Sequence, residues 1–228
     1  MSKKKVVLIV LVLAFVIVGI ITYFVPELDI FGAVNPSDEG DIQVPVNDGD
    51  SYTQMPTIIY HVADFSENIY DDEEYLELVG PYAMFYKNAN VEFSVTEEDI
   101  YSCGEFAEFI YEYIQCVKEG NHEKYNSLFF AEYFKNHDKM KEFTQQKIYD
   151  LRVEELNTVV NLDEKEYSWV KSQGLEPHAF VVKYKIRHNN GSFRLGMNSD
   201  VYQPQLFILA YDRLDNVKII DIVSYTER

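Results

Sequence analysis

Asp221 is the residue whose setting most invites chemistry. It interrupts an apolar run, Ile219-Ile220-Asp221-Ile222-Val223, that reads as a strand. A carboxylate there, facing a closed interior with a raised pKa, is the one candidate for a catalytic base. The plainer readings put it at a sheet edge or in an ion pair with Lys183 or Arg187. Those two bases belong to a second constellation. Phe180, Val182, Tyr184 and Ile186 alternate with Val181, Lys183, Lys185 and Arg187, so one face of this strand is apolar and the other basic. Lys183, Lys185 and Arg187, joined by Arg194 across a hairpin, form either a solvated face or a docking surface for an acidic partner, the chain's own 64–77 segment included.

Other chemistries find less support. The five histidines, at 61, 122, 137, 178 and 188, have no H-x-H or H-x-x-x-H spacing, and Asn126 stands where a zinc-protease motif beginning at His122-Glu123 needs its second histidine. There is no G-x-S-x-G and no glycine-rich phosphate loop. No metal or cofactor is implied. Asn47-Asp48-Gly49-Asp50 lacks the alternating acids and distant Glu of a calcium loop and reads as a solvated turn. Cys103 and Cys116 fall on one predicted helix, about 20 Å apart at 1.5 Å per residue, beyond the reach of a disulfide. They read as small buried hydrophobes, with an intermolecular disulfide or a reactive thiol as the alternative. The 18 tyrosines and 15 phenylalanines are mostly on apolar phases and read as core.

The elements that must position these residues form an α+β domain over 97–228: helices packed on a curved antiparallel sheet of about four strands. Ser102-Cys103-Gly104-Glu105 has capping-box spacing before Phe106, Ile110, Tyr113, Ile114 and Val117, and the helix stops at Lys118 and Gly120. Asn121 caps a second, short helix, and a third pattern spans about 137–148. Strands follow at 151–157, at 178–188 up to an Asn190-Gly191 hairpin turn, at 206–211 and at 217–225. Asn190-Gly191-Ser192 is also a formal glycosylation sequon, better explained by the turn. Residues 56–96 form a partly ordered lead-in, with a strand at 57–62 and a helix opening at 71–78; Tyr82, Phe85 and Tyr86 suggest that part of it packs on the domain.

Charge divides the chain further. Of the formal −18, residues 26–101 supply 18 acids against the single base Lys87, while 102–228 hold 20 acids and 16 bases. That balance argues against nucleic acid or an anionic membrane surface as the main partner. Val6 to Val25 is an uncharged run of 20 residues, enough for a helix of ~30 Å across a bilayer. It is longer than a cleaved signal's apolar region and has no adjacent small-residue cleavage site, so it reads as an uncleaved anchor. Lys3, Lys4 and Lys5 precede it and only acids follow closely, which places the tip 1–5 in the cytoplasm and the rest outside, a single-pass arrangement in the cell membrane. Residues 26–55, with repeated Pro and Asp-Gly, read as an acidic linker.

Glu105 to Phe130, with Val117-Lys118-Glu119-Gly120-Asn121-His122-Glu123-Lys124-Tyr125 at its centre, and the strands at 178–188, 204–212 and 217–225 together resemble the nuclear transport factor 2-like superfamily, the cystatin-like α+β cone. The resemblance covers 97–228 and implies a cone that is either a pocket, as in its isomerases and dehydratases, or noncatalytic, as in the bitopic membrane subunits of conjugation and type IV secretion machines. The five-residue tip departs from those subunits. Three readings stand: an extracytoplasmic interaction or ligand-binding module without catalysis, a structural subunit with a protein partner in the cell envelope, or a pocket enzyme using Asp221.

Overall fold

The computed structural model describes residues 58–226 except 59, 159 and 164, and only the main chain of 42–43 and 161. The tip, the 6–25 anchor, the Asn47 turn and, apart from 42–43, the 26–55 linker lie outside the described residues. Among the described residues no helix is long and apolar enough to cross a membrane.

The fold is α+β, and its sheet has six strands of mixed direction. Among the described residues β1 (Ile42–Gln43) pairs with β5 (Val160–Asn161) alone. The main sheet runs β3 (Val91–Val95), β2 (Met84–Asn88), β4 (Lys147–Leu156), β6 (His178–Arg187), β7 (Gln205–Tyr211), β8 (Val217–Ser224). All neighbours are antiparallel except β2 and β4. A parallel pair needs a long crossover. Here the chain leaves β3 through a 3-10 helix (Glu97–Cys103), then α2 (Glu105–Lys118) and α3 (His122–Ser127), and crosses one sheet face before re-entering at β4. The expectation of about four antiparallel strands is corrected by the β2–β3 hairpin, contributed by residues placed in the lead-in. α1 (Glu73–Val79) precedes that hairpin, capped by the Asp72 carboxylate, which accepts from the Tyr75 N–H.

α2 buries Ala107, Ile110, Tyr113, Ile114, Cys116 and Val117 against the inner sheet face, where Phe180, Val182, Tyr184 and Phe207 meet them. Cys116 thus sits in the core as a small hydrophobe, and burial pushes its thiol up to about 11. The helix ends in a Schellman motif: Gly120 N–H donates to Val117 O at 3.2 Å and Asn121 N–H to Cys116 O at 2.9 Å. Its start differs from the expectation. Ser102 belongs to the preceding 3-10 helix and donates to Asp99 O, leaving Gly104 as N-cap without a side-chain bond.

Two further expectations are corrected. Residues 137–146 are not helical, because they are tied in irregular form to the α2–α3 corner: Asn126 bonds both the N–H and the carbonyl of Met140 at 2.8 Å, and Gln146 N–H donates to Lys118 O. Asn190-Gly191 does not turn a hairpin. The β6–β7 connection dips into the core with Phe193 and Met197, both buried, and Asn189 holds its backbone at Arg194 O and Met197 O. Nor is a strand formed at 60–62.

Gly120 is where close approach and backbone demand coincide. Its φ is +69°, and an added Cβ would lie 2.9 Å from Phe143 O. Gly174 shares the left-handed conformation, at φ +68°, with open space around it. Gly120→Ala is therefore expected to cost about 1–3 kcal/mol more than Gly174→Ala in denaturant unfolding. Equal costs would mean that the α2–α3 corner does not clamp the 143–146 segment.

Candidate functional site

The two sheet faces differ, and β-bulges decide which side chains reach each. β8 opposes β7 with Leu209 facing Ile219 and Ile208 facing Asp221, so Ile220 is the extra residue of a bulge. Cross-strand partners share a face. Leu209 and Ile219 belong to the inner core under α2, whereas Ile208 and Ile220 belong to a second, outer cluster with Val181, Leu206, Ala210 and Val170. Asp221 points to the outer face with Ile208. It does not enter the interior between helices and sheet, and it pairs with neither Lys183 nor Arg187.

Asp221 is 3% exposed and is satisfied by two donors: the Tyr167 hydroxyl on one oxygen and the Ile222 N–H, at 2.7 Å, on the other. A buried carboxylate without such partners would cost several kcal/mol. Burial first, and then the bond to the Asp221 carboxylate, holds the Tyr167 phenol well above its ordinary pKa, so it stays a proton donor. Tyr167 is the residue before α4 (Ser168–Gln173), a short helix closed by Gly174 in left-handed conformation. The tyrosine–carboxylate bond pins that helix start, while Val170 and the Phe130–Trp169 ring pair cover the apolar half of the outer face.

Beside α4 lies a cavity of about 550 Å³. Val160, Leu162, Val170, Leu175 and Pro177 supply apolar wall, the Tyr167 side chain adds to it, and Ser168, Lys171 and Ser172 supply polar edge. Tyr167 therefore borders both the cavity and Asp221, which is not itself among the lining residues.

The other half of the outer face carries the basic stripe, interleaved with acids. Lys185 reaches Asp150 at 3.0 Å and sits 4.5 Å over the Tyr202 ring. Arg187 meets Glu74 and Asp200, each at 3.6 Å. Lys183 lies 6.0 Å from the Tyr202 ring centre. Arg152, opposite Lys183, bonds Asp150, Glu92 and the Tyr202 hydroxyl and stacks 4.7 Å over Phe85. Asp150 occupies a second bulge at φ +52°. Burial would raise its carboxyl, but bonds from Tyr202 and Lys185 and the charge of Arg152 bring it below the usual carboxylate range. Arg194 does not join the stripe; it lies over the inner-core Tyr184 ring at 5.9 Å.

The acidic 60–79 segment fastens onto one end of this face. Lys147, nearly buried, joins Glu67 at 2.5 Å and Asp72 at 2.6 Å, and Tyr75 is buried with its hydroxyl on Ile148 O. The His61 N–H donates to Asn189 O, and its ring sits 4.5 Å from that of His188 across a polar cleft of about 210 Å³ that Lys147 and Arg187 also line. Among the described residues no group of three or more His, Cys, Asp or Glu is placed to hold a metal ion.

Tyr167, α4 and Lys147 are the site residues that sequence reasoning missed. A signal existed for α4, since Lys171 and then Gly174 follow Trp169-Val170 as a basic last turn and a left-handed stop. No family model, no curated protein and no solved structure matches the chain.

Two pH effects follow. Burial, and then the neighbouring His61, Arg187 and Lys147, lower the His188 pKa. The unfolded chain therefore takes up a proton first, and stability falls as pH drops from about 6.5 towards the folded value. His188→Asn, which tolerates the φ of +52° at this position, is expected to flatten melting temperature against pH between about 7 and 5.5. In the acid limb the Lys147 hydrogen bond holds Asp72 below its ordinary value, so its contribution is present above about 3.8 and lost as pH falls through the folded pKa. Lys147→Met should lower stability at pH 7 by about 1–2 kcal/mol and shrink that acid-limb loss; an unchanged acid limb would exclude the ion pair as its source.

Proposed function

We propose that the chain is a single-pass membrane protein, with residues 6–25 as an uncleaved anchor, whose α+β domain is displayed outside the cytoplasm as a noncatalytic interaction or ligand-binding module. The observation that carries the noncatalytic part is the placement of Asp221. The bulge at Ile220 turns it away from the apolar cluster under α2 and spends both its oxygens on structural bonds. A general base must reach a substrate proton. This one is enclosed by its own tyrosine and strand.

The resemblance to the nuclear transport factor 2-like superfamily supports the same reading through its noncatalytic, membrane-anchored members, and the lysines before the apolar run support the orientation. Exposed acids surround the basic stripe, so that face suits a partner that exchanges ion pairs rather than one that merely supplies negative charge.

Protease added to intact cells should digest the domain while leaving the anchor fragment. Full protection until the membrane is opened would overturn the orientation. Asp221→Asn, which keeps an acceptor for Tyr167, is expected to leave binding and growth phenotypes intact; a specific loss of activity in a stably folded variant would restore the enzyme reading.

A further inference from the structure

The α4 cavity has features that the anchoring and display of the domain do not require. Its volume of about 550 Å³ lies within the usual range for small-molecule sites. Val160, Leu162, Leu175 and Pro177 leave apolar surface in its wall beside the outer cluster, with Val170 and Tyr167 belonging to both. The polar edge has regular spacing. Ser168, Lys171 and Ser172 stand at i, i+3 and i+4 on α4 and so share one side of the helix. Among the described residues the Ser168 hydroxyl takes no protein partner, and the Ser172 hydroxyl donates to Trp169 O, which leaves its lone pairs to accept. The Tyr167 hydroxyl is committed to Asp221, so its ring is the part free to serve as wall.

Charge narrows the ligand. Among the described residues Lys171 is the one charged lining residue, and it has a partner of its own, while residues 160–177 as a whole carry four acids and two lysines. An anionic head would meet Lys171 at the edge and repulsion from Asp163, Glu166 and Glu176, each next in the chain to a lining residue; a cationic head would meet the reverse. Neither sign gains. We infer that this cavity binds an uncharged amphiphile, with an apolar chain or ring along Val160, Leu162, Leu175 and Pro177 and a hydroxyl or amide head on the Ser168 and Ser172 hydroxyls. Asp221 acts in it as a positioning residue, holding the Tyr167 ring in the wall. The inference rests on reading the domain as a ligand-binding module and gives that reading a ligand class.

The test uses the full chain in lipid nanodiscs and an eight-carbon alkanol bearing a diazirine, with photolabelled peptides mapped by mass spectrometry. Labelling is expected to saturate within residues 160–177 and to fall about tenfold in Ser172→Trp, which fills the cavity from an exposed position. Leu175→Glu, which places a charge in the apolar wall, should act the same way and guards against a folding defect in the first variant; thermal melts confirm that both are folded. The diazirine amine and carboxylate of equal chain length are expected to label this stretch more weakly. Background labelling at 160–177, or labelling that neither variant changes, overturns the site, and equal labelling by a charged analogue overturns the ligand class. A nanodisc exposes both bilayer surfaces, so failure here is distinct from failure of the protease test of orientation.

Discussion

A buried carboxylate must be satisfied, and how this protein satisfies Asp221 determines much of the rest. Among the described residues no cation reaches it. Instead one inserted residue, Ile220, rotates β8 so that Asp221 leaves the helical side of the sheet and meets the Tyr167 hydroxyl on the other. Without the bulge, strict alternation would have put Asp221 on the same side as Ile219, among Phe129, Phe207 and Leu209, and away from the Tyr167 hydroxyl. The inner core stays free of acidic groups as a result. The outer face gains a fixed point at the start of α4, and with it the wall of a cavity.

The second bulge, at Asp150, does related work at the opposite end of the outer face. It places a carboxylate between Arg152 and Lys185, so three bases on adjacent strands can stand close together around Tyr202. Arg187 and Lys147, further along, are neutralised by the chain's own acidic segment through Glu74, Glu67 and Asp72. The acidity that dominates residues 26–101 in the sequence therefore serves in part as internal counter-charge. Such pairs are only partly sheltered, so their contribution to stability is modest and depends on pH and salt.

What could be read from the sequence was what depends on local pattern. The stop of α2 at Gly120, the Asn121 cap of α3, and the strands at 178–187, 205–211 and 217–224 follow from capping chemistry and from periods of 3.6 and 2. The features that escaped depend on tertiary partners. The β2–β3 turn is built on Ala89 at φ +50°, where turn chemistry leads one to look for Gly or Asn, so the hairpin carried no signal. Asn190-Gly191 carried a strong signal but serves a loop anchored by Thr144 and by Phe193 in the core. Asp221 was legible as a buried acid on an apolar strand. Its direction was not, because a bulge leaves no mark in an alternating pattern.

Asp221 is a structural carboxylate whose partner is Tyr167. A double-mutant cycle on folding stability, with Tyr167→Phe, Asp221→Ala, which removes the acceptor, and the pair, measures that bond directly. The arrangement described here predicts a coupling of about 0.5–3 kcal/mol between the two positions. Additivity to within about 0.5 kcal/mol would contradict it, and would return Asp221 to the set of residues free to do chemistry.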